Sequence, residues 1–259
     1  MRHHNYPRAF VLLGASLAAC VALFSGAVDA QDRGAPDWLR VNIVNVVPER
    51  LEDYVELQLK EVNPALQKAG VPWRSVWRTA EFGNSYEMQF VTPLGDLSDY
   101  DTGGPLARAL PPDRVARLAD RLRRSTVSRR SYAVQYRPEL SVESAESSGL
   151  FLARLTTIEV APGLGASWTS FLERNLPRFR GADVVFGVYQ RLFGPGPTAW
   201  QLVENYQSFT ELNETSIIGR AFGEDADAVT AELAGVVSSV ERTVLRYDAE
   251  LSYTSEPSR

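Results

Sequence analysis

Between Leu39 and Val47 the chain is rich in Val and Ile, the pattern of a buried strand, and Pro48 closes it. From Glu49 to Lys68 the period changes, and Leu51, Tyr54, Val55, Leu59, Val62 and Leu66 recur at helical spacing. Glu49, Glu52 and Asp53 suit the first turn of that helix, Gly70 follows its end, and Pro64 predicts a kink or subdivision. Trp73 to Thr79 alternates as a strand, Gly83-Asn84 makes a turn, and Tyr86 to Thr92 reads as the paired strand. Asp96 to Leu110 reads as a loop with short helical pieces, broken by Gly103-Gly104-Pro105. Asp113 caps a helix expected to reach Ser128, and Ser131 to Arg137 completes the series as a strand.

The same order then recurs. Phe151 to Val160 predicts a strand stopped by Pro162, and Gly165 to Phe179 a helix with Trp168 at the place of Tyr54 and Pro177 at that of Pro64. Val184 to Leu192 and Thr198 to Glu204 form a second hairpin across Gly194-Pro195-Gly196-Pro197. Asp225 to Val240 is the expected last helix, followed by a strand containing Thr243 to Tyr247. Tyr136-Arg-Pro-Glu-Leu-Ser141 ends the first series and Tyr247-Asp-Ala-Glu-Leu-Ser252 the second. A period of roughly 110 residues is too long for a solenoid unit and has the size of a small domain.

The N-terminus stands apart. Arg2 and Arg8 precede an almost wholly apolar run from Ala9 to Ala27, and Val28-Asp29-Ala30 offers a cleavage site before Gln31. Residues 1–30 are therefore expected to be an export signal, with the mature chain periplasmic or extracellular. Leu17-Ala18-Ala19-Cys20 offers an alternative, a lipobox whose cysteine would anchor the chain to a membrane. The expected organisation is a first repeat at 31–141, a Glu/Ser-rich linker at 142–149, a second repeat at 150–252 and a tail at 253–259.

Setting residues 1–30 aside removes His3, His4 and Cys20, the only histidines and the only cysteine. The remainder has no thiol nucleophile, no Ser-His-Asp triad and no imidazole ligand for zinc, copper or iron. Acid–base work would fall to Asp, Glu, Tyr or Lys, and no cofactor is assigned. The net charge of −5 carries no nucleic-acid footprint. It is unevenly spread: residues 37–141 hold 15 basic and 14 acidic side chains, residues 150–252 hold 8 and 13.

Strand, helix, strand, strand, helix, strand is the ferredoxin-like order, α+β, with both helices on one face of an antiparallel sheet. Two such repeats can cover each other's open face by packing sheet to sheet. On this element order, the Pro-ended first strand and the Trp/Tyr hairpin strands, the chain resembles the dimeric α/β-barrel superfamily. That group holds antibiotic-biosynthesis-monooxygenase, NIPSNAP-like and chlorite-dismutase-like domains. The resemblance implies a barrel made within one chain and a small hydrophobic ligand; its His-ligated haem members are contradicted by the missing histidine. No catalytic motif of these families is matched residue by residue.

Alternation on the hairpin places Trp73, Ser75, Trp77 and Thr79 on one face and Arg74, Val76 and Arg78 on the other. Tyr86, Met88 and Phe90 separate likewise from Glu87 and Gln89, and grouping the aromatic faces gives an apolar wall suited to a ligand, or to plain packing. Arg74, Arg78 and Glu87 on the opposite face could hold an anion or form cross-strand ion pairs. The candidate ligand residues are therefore Trp73, Arg74, Trp77, Arg78, Tyr86, Glu87 and Met88. Asp96, Asp99 and Asp101 lack the ligand spacing of a calcium loop, and Arg114, Arg117, Arg121 and Arg124 make a basic helical stripe best read as solvated. Three functions remain open: binding a small apolar or aromatic ligand, cofactor-independent monooxygenase or isomerase chemistry, and a purely structural role. A homo-oligomer is compatible with each.

Overall fold

A computed structural model describes residues 38–143, 151–213 and 216–255. The expected export signal and Cys20 lie outside the described residues, as do most of the linker and the end of the tail. No helix among the described residues is long and apolar enough to cross a membrane.

The first half contains β1 (Trp38–Val46), α1 (Leu51–Leu57), α2 (Asn63–Lys68), β2 (Trp73–Thr79) and β3 (Glu87–Pro93). It continues through α3 (Gly104–Ala109), α4 (Pro112–Arg124) and β4 (Thr126–Tyr136). The second half contains β5 (Leu152–Val160), α5 (Gly165–Gly181), β6 (Gly187–Phe193) and β7 (Ala199–Tyr206). It ends with α6 (Phe209–Leu212), α7 (Ile217–Phe222), α8 (Ala226–Leu233), β8 (Val237–Tyr247) and β9 (Tyr253–Thr254). The eight long strands pair antiparallel in the order β2-β3-β1-β4-β6-β7-β5-β8, and β8 returns to β2. The sheet is a closed barrel. The two four-stranded sheets thus do more than face each other: β4 joins β6 and β8 joins β2 edge to edge, which pairs strand edges that would otherwise template aggregation.

Strand alternation sorts the side chains. Leu39, Val41 and Ile43 of β1 point into the barrel with Trp77, Tyr132 and Tyr189, while Val44 and Val46 pack outward under the helices. The barrel interior retains a cavity of only about 40 Å3, room for roughly one water. In the second half the space between sheet and helices is filled by Trp168, Phe171, Phe179, Phe186, Trp200 and Phe222.

The repeated hexapeptide has a structural task at each junction. After β4, the Arg137 amide donates to Val188 O at 2.9 Å, and the Val188 amide donates to Ser141 Oγ at 2.9 Å. Ser141 Oγ donates in turn to Arg137 O at 2.8 Å. After β8 the same three bonds recur: Asp248 N to Val76 O at 2.9 Å, Val76 N to Ser252 Oγ at 2.9 Å, and Ser252 Oγ to Asp248 O at 2.6 Å. Leu140 and Leu251, just before the serines, are wholly buried. Each clip extends strand pairing past the end of a long strand.

Several expected boundaries move. Val142, expected to open the linker, is buried and bridged to Phe186, and Tyr253 and Thr254, expected in the tail, pair with Arg74 and Trp73. The last helix ends at Leu233, not Val240, and β8 begins at Val237, because Gly235 interrupts the helix and the β-branched Val237 and Val240 pair along β5. Likewise α4 stops at Arg124, and β4 starts at Thr126. The proposed grouping of the hairpin faces is overturned by register: Val76 lies opposite Phe90, Trp77 opposite Gln89 and Arg78 opposite Met88. Cross-strand partners share a face, so Met88 and Phe90 belong with Arg74, Val76 and Arg78, away from Trp77.

Replacing Ser141 or Ser252 by Ala is expected to cost about 1–3 kcal/mol each, because a buried strand amide loses its acceptor. Urea unfolding checks this; an unchanged midpoint for both variants would show the clips to be dispensable.

Candidate functional site

The first half is not filled as the second is. Between the outer face of its sheet and α1 to α4 lies a cleft of about 610 Å3. Its apolar walls come from Val44, Val62, Leu66, Val71, Leu106 and Leu122. Arg40, Arg74, Arg123 and Arg129 also line it, and among the described lining residues there is no carboxylate.

Arg74 sits at the cleft floor and is only 5% exposed. Its Nη1 donates to Asn63 Oδ1 at 2.6 Å and its Nη2 to Gln58 Oε1 at 2.8 Å, while Nε is buried without a partner. The guanidinium stacks over Phe90, with Cζ 4.3 Å from the ring centroid. Burial lowers its pKa to about 10, and the nearby phenols of Tyr54 and Tyr253 partly offset this. Burial also pushes Tyr54 up to about 12, against the opposing charges of Arg74 and Arg129, and Tyr253 likewise to about 12. Arg129 is held below its usual value by burial and by Arg40 beside it. Its Nη2 donates to Asn42 Oδ1 at 3.0 Å, and Arg40 reaches the Tyr100 hydroxyl at 3.3 Å.

A local irregularity presents the two amides. Gln58 to Val62 form a π-helical turn between α1 and α2, with Gln58 and Val62 buried. Ten residues separate Tyr54 from Pro64, against nine from Trp168 to Pro177, so the first helix holds one residue more than its counterpart. One inserted residue in a helix is accommodated as a π turn, a feature frequent at functional sites. Asn63 Nδ2 also donates to Leu251 O at 2.9 Å, tying this turn to the β8 clip.

Of the seven expected ligand residues, the cleft takes Arg74 alone. Trp77 faces the filled barrel interior, donating from Nε1 to Ser75 Oγ at 2.6 Å, and Trp73 is half-buried against the same interior cluster. Arg78 pairs with Asp248, just past the end of β8, at 2.5 Å, and not with Glu87. Met88 is buried in the sheet–helix core, Glu87 pairs with Asn45 at the end of β3, and Tyr86 is exposed at the hairpin end. Arg40, Tyr54, Gln58, Asn63, Tyr100 and Arg129 were not anticipated. The one-residue excess between Tyr54 and Pro64 is a signal that could have found Gln58 and Asn63; nothing in the local pattern marks the other four.

Neither a protein-family model nor a curated protein matches the sequence. Solved structures do match in shape. A monooxygenase-like protein from Lactobacillus acidophilus NCFM superposes with a TM-score of 0.54 at 10% identity, over 85% of this chain and 97% of that one. An anthrone oxidase-like protein gives 0.56 at 12%, over 86% and 95%. The chlorite dismutase of Candidatus Nitrospira defluvii, as its R173E mutant, gives 0.52 at 11%, over 85% and 95%. With these structures the chain shares the fold, an antiparallel α/β barrel with its helices outside. At such identities the likeness extends to the fold and not to an activity.

Tyr54 predicts a pH response. An acid whose folded pKa of about 12 lies above its unfolded 10.0 keeps its proton longer when folded, so stability falls as pH rises through that window. Tyr54→Phe should flatten part of this fall in circular-dichroism base titrations; an identical profile would place the phenol outside the linkage.

Proposed function

We propose that this chain is an exported protein that binds one small, largely apolar ligand in the cleft of its first half. The observation that carries the reading is the contrast between the sheet–helix layers: about 610 Å3 of apolar-walled space in the first half, an aromatic core in the second, whose cleft of about 370 Å3 is lined by α5 and residues 232–236 and by no strand residue. That volume falls within the range of small-molecule sites. The described ionisable groups of the lining are Arg and Tyr, which stay protonated near neutral pH, so the site suits binding better than general acid–base catalysis.

The halves read as a fused tandem of ferredoxin-like repeats, a single chain replacing the two subunits of a dimeric barrel. The matched strand orders, the repeated clip and the corresponding helices support that history, and NIPSNAP-like domains are among the relatives it suggests. Because the barrel closes within one chain, binding requires no second copy. Export rests on Arg2, Arg8 and the apolar run from Ala9 to Ala27. The mass of the mature N-terminus separates cleavage before Gln31 from lipidation at Cys20.

A second reading is a cofactor-independent oxygenase. It is favoured by the buried guanidinium, which would stabilise an oxyanion developing on a phenolic substrate. Oxygen uptake with anthrone tests it, and uptake no faster than in buffer rules that substrate out.

The binding reading is tested by native mass spectrometry after incubation with cell extract. One small molecule per chain is expected on the wild type, lost from Leu106→Trp, which fills the cleft, and retained by Ala228→Trp at an exposed position of α8 that lines neither this cleft nor the smaller one of the second half. An empty wild type, or a ligand that survives Leu106→Trp, would defeat the reading.

A further inference from the structure

From the charge arrangement in this cleft we infer that its ligand is an amphipathic organic anion, an apolar body bearing one carboxylate, sulfonate or phenolate held by Arg74 and the Arg40–Arg129 pair. The inference rests on the cleft being the ligand site and adds the sign of the ligand's charge.

Two comparisons within the molecule carry it. In the first, strand register puts Arg40 opposite Thr92 and, at the corresponding place, Arg154 opposite Glu204. Glu204 is buried and takes two bonds of 2.7 Å from Arg154, with Tyr206 donating at 2.8 Å and Arg220 at 3.3 Å. The second half thus neutralises its strand arginine with an internal carboxylate. The first half has Thr92 there, and among the described residues no carboxylate forms an ion pair with Arg40, Arg74 or Arg129. Three cations line one apolar cleft with no ionic partner among the described residues: Arg74 is buried, Arg40 is partly buried and Arg129 is exposed.

The second comparison concerns Arg74 itself. Gln58, Asn63 and Arg74 correspond to Leu172, Leu176 and Phe186, all buried in the aromatic core of the second half. The barrel therefore closes and packs over an apolar set at these positions. A buried cation without an ionic partner is destabilising, and similar-sized apolar residues are often neutral or better. Fold stability does not account for the polar triad; a negative group arriving from outside does. The two amides orient the guanidinium and leave it charged, since their oxygens accept hydrogen bonds without neutralising it.

Two fluorescent probes test the charge preference. 8-Anilinonaphthalene-1-sulfonate and N-phenyl-1-naphthylamine share an aromatic body, and only the first is an anion. The full chain should bind the sulfonate at one site, about ten-fold or more tighter than the neutral probe, with affinity falling as salt rises. Arg74→Met should lose about that factor for the sulfonate and leave the neutral probe unchanged, and Arg129→Gln should lose a smaller part. Equal binding of both probes, unaltered by Arg74→Met, would overturn the charge assignment while leaving an apolar cleft. Saturation by neither probe would remove the cleft reading and the inference together. The triple variant Gln58→Leu, Asn63→Leu, Arg74→Phe copies the second half. It should fold, melt no lower than the wild type and lose the preference for the anion, whereas failure to fold would make the triad structural and overturn the inference.

Discussion

Closure of the barrel at its two seams is the constraint on which the other features depend. Each half alone would expose a sheet face and two strand edges. Joining β4 to β6 and β8 to β2 removes both problems at once, because the inner faces meet as one core and the edge amides find partners. Each seam is locked by a serine that accepts from a strand amide and donates to a carbonyl four residues back. With the interior committed to packing, the larger spaces among the described residues lie outside the sheet, beside the helices. The seam reaches that space directly, since Leu251 of the β8 clip accepts from Asn63, which orients Arg74.

The same scaffold is completed in two ways. In the second half a regular helix lays Trp168, Phe171, Leu172 and Phe179 onto the sheet and fills the layer. In the first, one additional residue forms a π turn, and amide side chains reach a guanidinium where the other half has Leu and Phe. A filled layer favours stability; an open one with a buried cation carries a cost in the unliganded chain that binding of an anion offsets.

Much of the architecture was legible in the residue pattern. Helical and strand periods located the main elements, and the recurrence of Tyr-x-x-Glu-Leu-Ser marked two equivalent strand ends. Boundaries failed where local and non-local preferences competed: Val237 to Val240 continue a helical pattern, yet pairing with β5 satisfies their backbone over a long ladder. The aromatic wall failed for a related reason. Alternation assigns faces within each strand, but register between strands decides which faces combine, and it set Trp77 apart from Met88 and Phe90. The candidate site suffered the same limit: Arg74 was found, whereas Arg40, Gln58, Asn63 and Arg129 lie far apart along the chain and no local pattern unites them.

The sequence by itself determined the α+β element order, the recurrence of that order, and the absence of imidazole and thiol chemistry after residue 30, because these follow from local periodicity and composition. Only the tertiary structure decided which sheet–helix layer is filled and which is open, and which arginines lack a counter-charge among the described residues. Those properties depend on side chains from distant strands and helices sharing one layer. Their burial and pairing are set by how the barrel closes, which no single segment encodes.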